Sequence, residues 1–215
     1  EEELGDSGGL SRGSISIGAT ETALNIFLLE KLKSFHMEYP GIRLKLYNHS
    51  TPQAVEAVKS GKIEFAVVTT PVEMKPPLKK IVLQSFREIL VGGKTFTALG
   101  SQVLSLAEVK NYPMICLGRE TMTYQFYSQF FLKHCLELTP DTEVATTDQI
   151  LPLVKNELGL AFLPEKIAEE AIARHEIVQI AVKEPIPERQ ICMVYDAEHS
   201  FNAATRQLRN MILEA

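Results

Sequence analysis

The chain lacks the positive charge that nucleic-acid binding needs. Lys and Arg number 22 against 27 Asp and Glu, a formal net charge of −5, the wrong sign for a surface that grips phosphates by counterion release. This segment is not expected to bind DNA or RNA by itself. Long apolar runs are also missing. Stretches such as residues 26–29 and 65–68 fall far short of the roughly 20 residues that cross a bilayer. Cysteine is sparse: Cys116, Cys135 and Cys192 stand far apart, odd in number and without a Cys-x-x-Cys. That argues against a disulfide framework and fits a reducing, cytoplasmic setting. His36, His49, His134, His175 and His199 include no pair at metal-ligand spacing, so neither a metal nor a cofactor is expected. There is no Gly-x-Ser-x-Gly elbow and no P-loop, and Asp196 and His199 have no serine or cysteine placed by sequence to complete a triad. They read as a solvated surface pair, and no enzyme activity is expected.

With 215 residues, 45% apolar and 23% charged, the chain can bury a core as one large domain or two of about 100 residues each. Residues 1–13 are acidic and rich in Gly and Ser, without the cationic start and apolar stretch of a secretory signal, and read as a linker tail. Because the sequence starts at Glu1, a removed signal or a further domain upstream is expected.

The body divides into two similar parts. Alternation over residues 14–18 marks a strand, followed by a polar turn and a helix from about Ala23 to Glu38. Pro40-Gly41 stops that helix and residues 42–47 alternate as a second strand. Thr51 before Pro52 reads as the N-cap of the next helix, Gly61 ends it, and Phe65-Ala66-Val67-Val68 reads as a strand buried on both faces. From Tyr112 the order repeats: strand Met114 to Leu117, polar turn, helix to about Leu136, strand near Thr142 to Ala145, helix Thr147 to Asn156, strand Leu160 to Leu163. Residues 51–59 match residues 147–155 at a constant offset of 96. Glu88 to Gly93 and Gln190 to Tyr195 read as crossovers, and the last helix, Ala203 to Leu213, returns to the first part. The expected fold is α/β: two Rossmann-like subdomains joined by two crossover strands, of the periplasmic-binding-protein type II-like kind. Subdomain I takes residues 14–91 and 190–215, and subdomain II residues 92–189. Such lobes enclose a cleft, where ligands sit beyond the carboxyl ends of strands.

Four polar turns follow strands and open helices: Thr20-Glu21-Thr22, Ser50-Thr51, Arg119-Glu120-Thr121 and Thr146-Thr147. Helix starts expose N–H groups at a positive dipole end, and hydroxyls beside them make an anion cradle. Taken singly, each turn is explained by capping. Together, on one cleft, they point to a small anion or carboxylate. Arg119 could add a bidentate pair and Phe162 an apolar wall. The first helix and the helix after Thr121 each carry apolar residues beyond one core stripe, among them Ile26, Leu29, Phe126 and Phe130, which suggests self-association.

The pattern resembles the effector-binding domain of LysR-type transcriptional regulators. The marks are Gly13-Ser14-Ile15-Ser16-Ile17-Gly18 after a linker, Phe35 to Leu46 as F-x-x-x-Y-P-G-I-x-L-x-L, Gly61 to Val68, Glu88-Ile89-Leu90-Val91, and Leu158-Gly159-Leu160-Ala161-Phe162-Leu163-Pro164. They run in order from Gly13 to Ala215. The departures are Glu64, where the family has Asp, and Glu157-Leu158-Gly159 in place of G-x-G. The resemblance implies an upstream winged helix-turn-helix that binds DNA, absent from this chain, and a homodimer or tetramer paired head to tail through the two apolar helices. It also implies no enzyme activity and a small effector that shifts the arrangement of the DNA-binding domains. The effector positions carried over are Thr20, Thr22, Ser50, Thr51, Thr69, Arg119, Thr121, Thr147 and Phe162; the interface positions are Ile26, Leu29, Phe126 and Phe130. The rival class is the solute-binding protein of an ABC transporter, which has the same two-lobed fold.

Overall fold

The computed structural model describes residues 13–214, so the expected linker, apart from Gly13, lies outside the described residues. Strand β1 (Gly13–Ala19) leads into α1 (Glu21–Ala23), a π-helical segment (Leu24–Leu28) and α2 (Leu29–Glu38). There follow β2 (Ile42–Asn48), α3 (Thr51–Lys59), β3 (Phe65–Thr69), β4 (Leu78–Phe86), β5 (Glu88–Gly93), a 3-10 helix (Lys94–Ser101), β6 (Val103–Leu104) and α4 (Leu106–Val109). Next come β7 (Ile115–Leu117), α5 (Met122–Lys133), β8 (Thr142–Val144), a 3-10 turn (Thr147–Gln149), α6 (Ile150–Lys155), β9 (Ala161–Pro164), α7 (Glu165–Ala173), β10 (Ile177–Val182), β11 (Arg189–Asp196) and α8 (Ala203–Leu213).

The chain forms two compact units. The first takes the described residues through Val68, then Met74–Leu83, then Cys192 onward; the second takes Thr69–Glu73 and Gln84–Ile191. Strand β5 lies wholly in the second unit, whereas β11 begins in the second and continues in the first.

The first unit is built on a five-stranded sheet in the order β2-β1-β3-β11-β4. β1 runs parallel to both β2 and β3. Its alternation is what the serines and isoleucines dictate: Ile15 and Ile17 are fully buried while Ser14 is exposed. β3 is buried at every position, as a strand covered on both faces must be. Helix α8 is held at its start by Asn202, whose Oδ1 accepts from the Thr205 N–H at 2.9 Å. Glu64 then accepts from Asn202 Nδ2 at 2.5 Å and from the Thr205 hydroxyl. Glu64, one of the departures from the family pattern, therefore locks α8 to the start of β3.

The second unit holds a four-stranded sheet in the order β6-β10-β5-β9 and a parallel pair β7-β8. β5 is antiparallel to both neighbours. One of its faces sends Leu90 into a cluster with Tyr127, Phe130, Phe131 and Phe162. The opposite face sends Ile89 and Val91 into a second cluster with Ile115, Leu117, Val154 and Leu163. The other departure is also explained. Glu157 adopts a left-handed φ of 68°, uncommon for a residue with a Cβ, and its carboxylate accepts from the Thr95 N–H at 3.2 Å and the Thr95 hydroxyl at 2.5 Å. Gly159, at φ 151°, is irreplaceable for a different reason: a Cβ there would lie 2.4 Å from the Pro113 carbonyl oxygen.

Several element boundaries differ from the sequence reading. The N-cap of α3 is Ser50, not Thr51; Ser50 and Gln53 form a capping box, and Pro52 follows one residue inside the helix. The same box recurs at Thr146 and Gln149, so the offset of 96 residues joins two matching helix starts. Helix α5 stops at Lys133 because Cys135 turns left-handed at φ 58°. The π segment, β4, α4, α7 and β10 were not legible. Cys116 and Cys192 are buried and Cys135 is exposed.

Candidate functional site

In the first unit the register Ala19↔Asn48 brings the carboxyl ends of β1 and β2 side by side. The two polar turns leave from there, tied by His49 N donating to the Ala19 carbonyl at 3.0 Å and Thr20 N donating to the Val67 carbonyl at 3.1 Å. Thr20, Thr22, Ser50 and Thr51 therefore gather where two helices start. Thr20 is the N-cap residue of α1 in extended conformation, yet its side chain caps nothing. Its Oγ1 is buried and has no hydrogen-bond partner within the protein. A buried hydroxyl without a partner is costly, and this one stands at a helix start. His49 Nε2 is buried and unpartnered in the same way. The ring stacks on Tyr47 at 5.8 Å between centroids, and burial, with the Lys62 charge second, holds its pKa below the usual histidine value. Polarity and spacing gave no signal for His49.

The second unit repeats the arrangement. The register Leu117↔Val144 aligns the ends of β7 and β8, and Gly118 N donates to the Val144 carbonyl at 3.0 Å. Arg119, Thr121 and Thr147 follow directly. Thr121 is a working cap: its Oγ1 accepts from Tyr124 N at 3.1 Å and donates to the Gly118 carbonyl at 2.8 Å. Arg119 is exposed and pairs with Glu143 at 3.5 Å, a contact worth little in solvent. Thr147 is half-buried in the 3-10 turn.

Two expected site residues are engaged by the protein itself. Phe162 stacks on Tyr127 at 5.0 Å and is edged by Phe130 and Phe131 at 6.4 and 6.2 Å, so it fills the core of its unit instead of walling a ligand site. Thr69, at the end of β3, is buried and accepts from Arg189 Nη2 at 3.2 Å. Of the expected interface residues, Phe130 is 2% exposed and belongs to the same core. Phe126 is half-buried with Arg189 5.0 Å from its ring centre. Leu29 is 47% exposed and Ile26 half-buried, while Met37 and Leu132 are the outward apolar residues at the other ends of α2 and α5, at 73% and 60%. Asp196 accepts from the Glu198 N–H and pairs with His199 Nδ1, both at 2.8 Å. Those contacts, the Glu198 bond first, hold its carboxyl below the usual aspartate range. Among the described residues there is no cluster of three or more His, Cys, Asp or Glu fit for a metal, and no helix long and apolar enough to cross a membrane.

A family model described as the LysR substrate binding domain matches residues 8–215. Among curated relatives, the HTH-type transcriptional activator CmpR of Synechocystis sp. is 23% identical over 166 residues, covering 76% of this chain and 53% of its own length. The uncharacterized HTH-type transcriptional regulator YeiE of Escherichia coli K12 is 19% identical over 195 residues, covering 91% of this chain and 66% of its own. The chain thus spans about half to two thirds of the relatives it matches. Among solved structures, the effector binding domain of QuiR in complex with shikimate aligns with a TM-score of 0.82 at 16% identity, over 95% of this chain and 97% of that one. The regulatory domain of CcmR from Synechocystis PCC6803, in complex with 2-PG, aligns with a TM-score of 0.83 at 15% identity, over 94% and 97%. At such identities the likeness shows the fold, the α/β periplasmic-binding-protein-like class expected from the sequence.

Proposed function

Because the chain belongs to the LysR substrate binding domain family, we propose that it is the effector-sensing part of a transcriptional regulator and takes a small carboxylate or phosphate-bearing metabolite. The observation that carries the ligand class is Thr20: a buried, unpartnered hydroxyl at a helix start, beside a second helix start with Ser50 and Thr51. Helix starts favour anions through oriented N–H groups and the positive dipole end. The ligands named for the QuiR and CcmR structures, shikimate and 2-PG, agree with that class. In the first unit, taken by itself, the residues offered to such an anion are Thr20, Thr22, Ser50 and Thr51; the second unit, taken by itself, offers Arg119, Thr121 and Thr147. The chain contributes no catalysis.

The family and the relatives are those of regulators, which decides against a transporter solute-binding protein. DNA contact falls to a helix-turn-helix part such as the relatives' names record, consistent with the charge of −5 on this segment. The regulator works in the cytoplasm as a homodimer whose regulatory parts associate through α2 and α5, with Leu29 and Leu132 outward. The test is a thermal-shift screen of anionic metabolites including shikimate and 2-PG, then calorimetry on Thr20→Val, Thr51→Ala, Thr51→Ser and Arg119→Ala. Affinity should fall in the first two and survive in Thr51→Ser. Unchanged affinity in both Thr20→Val and Thr51→Ala would show that these turns make no contact with the ligand.

A further inference from the structure

Arg189, which no local sequence pattern marks, is 2% exposed and is among the largest fully buried side chains. Every part of its guanidinium is engaged. Nε donates to the Thr70 carbonyl at 2.8 Å, Nη1 to the Glu88 carboxylate at 2.7 Å, and Nη2 to the hydroxyls of Thr69 and Thr123 at 3.2 and 3.1 Å. Phe86 and Phe126 lie over it, 5.5 and 5.0 Å from ring centre to guanidinium carbon. The Glu88 side chain is itself fully buried. A buried pair of this kind is a poor source of stability, since apolar residues of like volume serve as well or better. What distinguishes it is which segments it joins.

All these groups belong to the second unit, but they flank the points where the chain passes between units. Thr69 and Thr70 directly follow the passage after Val68; Phe86 and Glu88 follow the passage after Leu83; Arg189 precedes the passage after Ile191. Thr70 and Gln190 are laced together as well, Thr70 N donating to the Gln190 carbonyl and Gln190 N to the Thr70 hydroxyl, both at 2.9 Å. The fourth partner, Thr123, sits in the first turn of α5, two residues after the cap Thr121.

We propose that Arg189 is a positioning residue that makes the first turn of α5 and three connecting segments one body, so that a contact at the start of α5 is felt where the chain passes between units. The route is Thr121, Thr123, the guanidinium, then Thr69-Thr70, Glu88 and Gln190. This deepens the proposed function by naming how occupancy at Thr121 reaches the connections, and it rests on that reading for its biological meaning. A rigid fork of donors suits the task because lysine, a point charge, could satisfy Glu88 but not the other three partners.

The test uses no ligand, so its failure is separate from failure of the effector assignment. Native-state hydrogen exchange is followed at the Thr70 and Gln190 amides, with Ile15 in β1 and Leu163 in β9 as references. Four variants are compared: Thr123→Val, Arg189→Lys, the double variant Arg189→Met with Glu88→Met, and Gln125→Ala as an exposed control on α5. The double variant removes both charges, so neither is left buried alone. Thr123→Val, which touches neither amide, should raise exchange at Thr70 and Gln190 several-fold. Arg189→Lys and the double variant should raise it about tenfold or more, with Ile15 and Leu163 unchanged. Gln125→Ala should do nothing. Unchanged exchange at Thr70 and Gln190 in Thr123→Val, or acceleration shared equally by all four amides, overturns the proposal and leaves Arg189 as ordinary core.

Discussion

Thr20→Val should make the unliganded protein more stable and the ligand bind more weakly. The side chain is 9% exposed, its Oγ1 has no partner, and it caps no N–H of α1. Valine has the same shape and β-branch, and the backbone at φ −73°, ψ 150° accepts it. Nothing is lost in the free protein except an unsatisfied polar group, whose burial costs about 1–3 kcal/mol. Allowing for relaxation and for water reaching the rim, a gain of about 1 kcal/mol in unfolding free energy is expected, or roughly 2–4 °C in midpoint for a chain of this size. On the proposed function the same hydroxyl donates to a charged acceptor of the ligand, so its removal should weaken affinity about tenfold, about 1.4 kcal/mol. Urea titration and calorimetry read the two numbers separately. Thr121→Val is the matched control: that hydroxyl accepts from Tyr124 N, and losing the cap should destabilise by about 1 kcal/mol. If Thr20→Val destabilises as Thr121→Val does, the Thr20 hydroxyl has a partner in solution and the argument for a ligand contact there fails.

Other outcomes follow from packing and charge. Phe130→Ala should destabilise by about 3–5 kcal/mol, because the ring is buried among Phe131, His134 and Phe162; a loss of association without a loss of stability would return Phe130 to the interface. Glu157→Ala should cost more than Glu157→Gly in thermal melts, since both lose the carboxylate that holds Thr95 but only glycine relieves the φ of 68°. The folded state disfavours protonated His49, so its share of stability is fully present above about pH 6.5 and falls as the pH drops below that. Asp196 has a depressed carboxyl, so its share is lost lower, as the pH falls below about 4. His49→Gln should flatten only the upper of these two declines in urea midpoint against pH.

Local patterns revealed part of this. Alternation in β1, the all-buried β3, the presence of a strand at β5 and the repeated strand-turn-helix order were legible because each is written in neighbouring residues. The caps were nearly so: Thr51-Pro52 drew attention to the right turn, but Ser50 and Gln53 form the box, and only the matching Thr146-Gln149 pair explains why the offset of 96 exists. Phe126 and Phe130 look like a surplus face on a helical wheel because the wheel does not know that Phe162 and Arg189 arrive from distant strands. The π segment carries no marker in its composition. Arg189 was invisible for the same long-range reason: its partners stand 101, 119, 120 and 66 residues away.

The thiols carry a practical consequence. Burial pushes Cys116 up to about 12 and raises Cys192 too, so at neutral pH neither supplies a thiolate, whereas Cys135 lies exposed just past the end of α5. One equivalent of a maleimide dye should therefore mark a single place without engineering a cysteine-free background. Helix α5 spans 12 residues, about 18 Å of rise, which sets the dye a full helix length from Thr121: far enough to leave that turn untouched, on an element whose opposite end it caps. The unaltered chain thus arrives with its own attachment point for a fluorescent reporter of ligand binding.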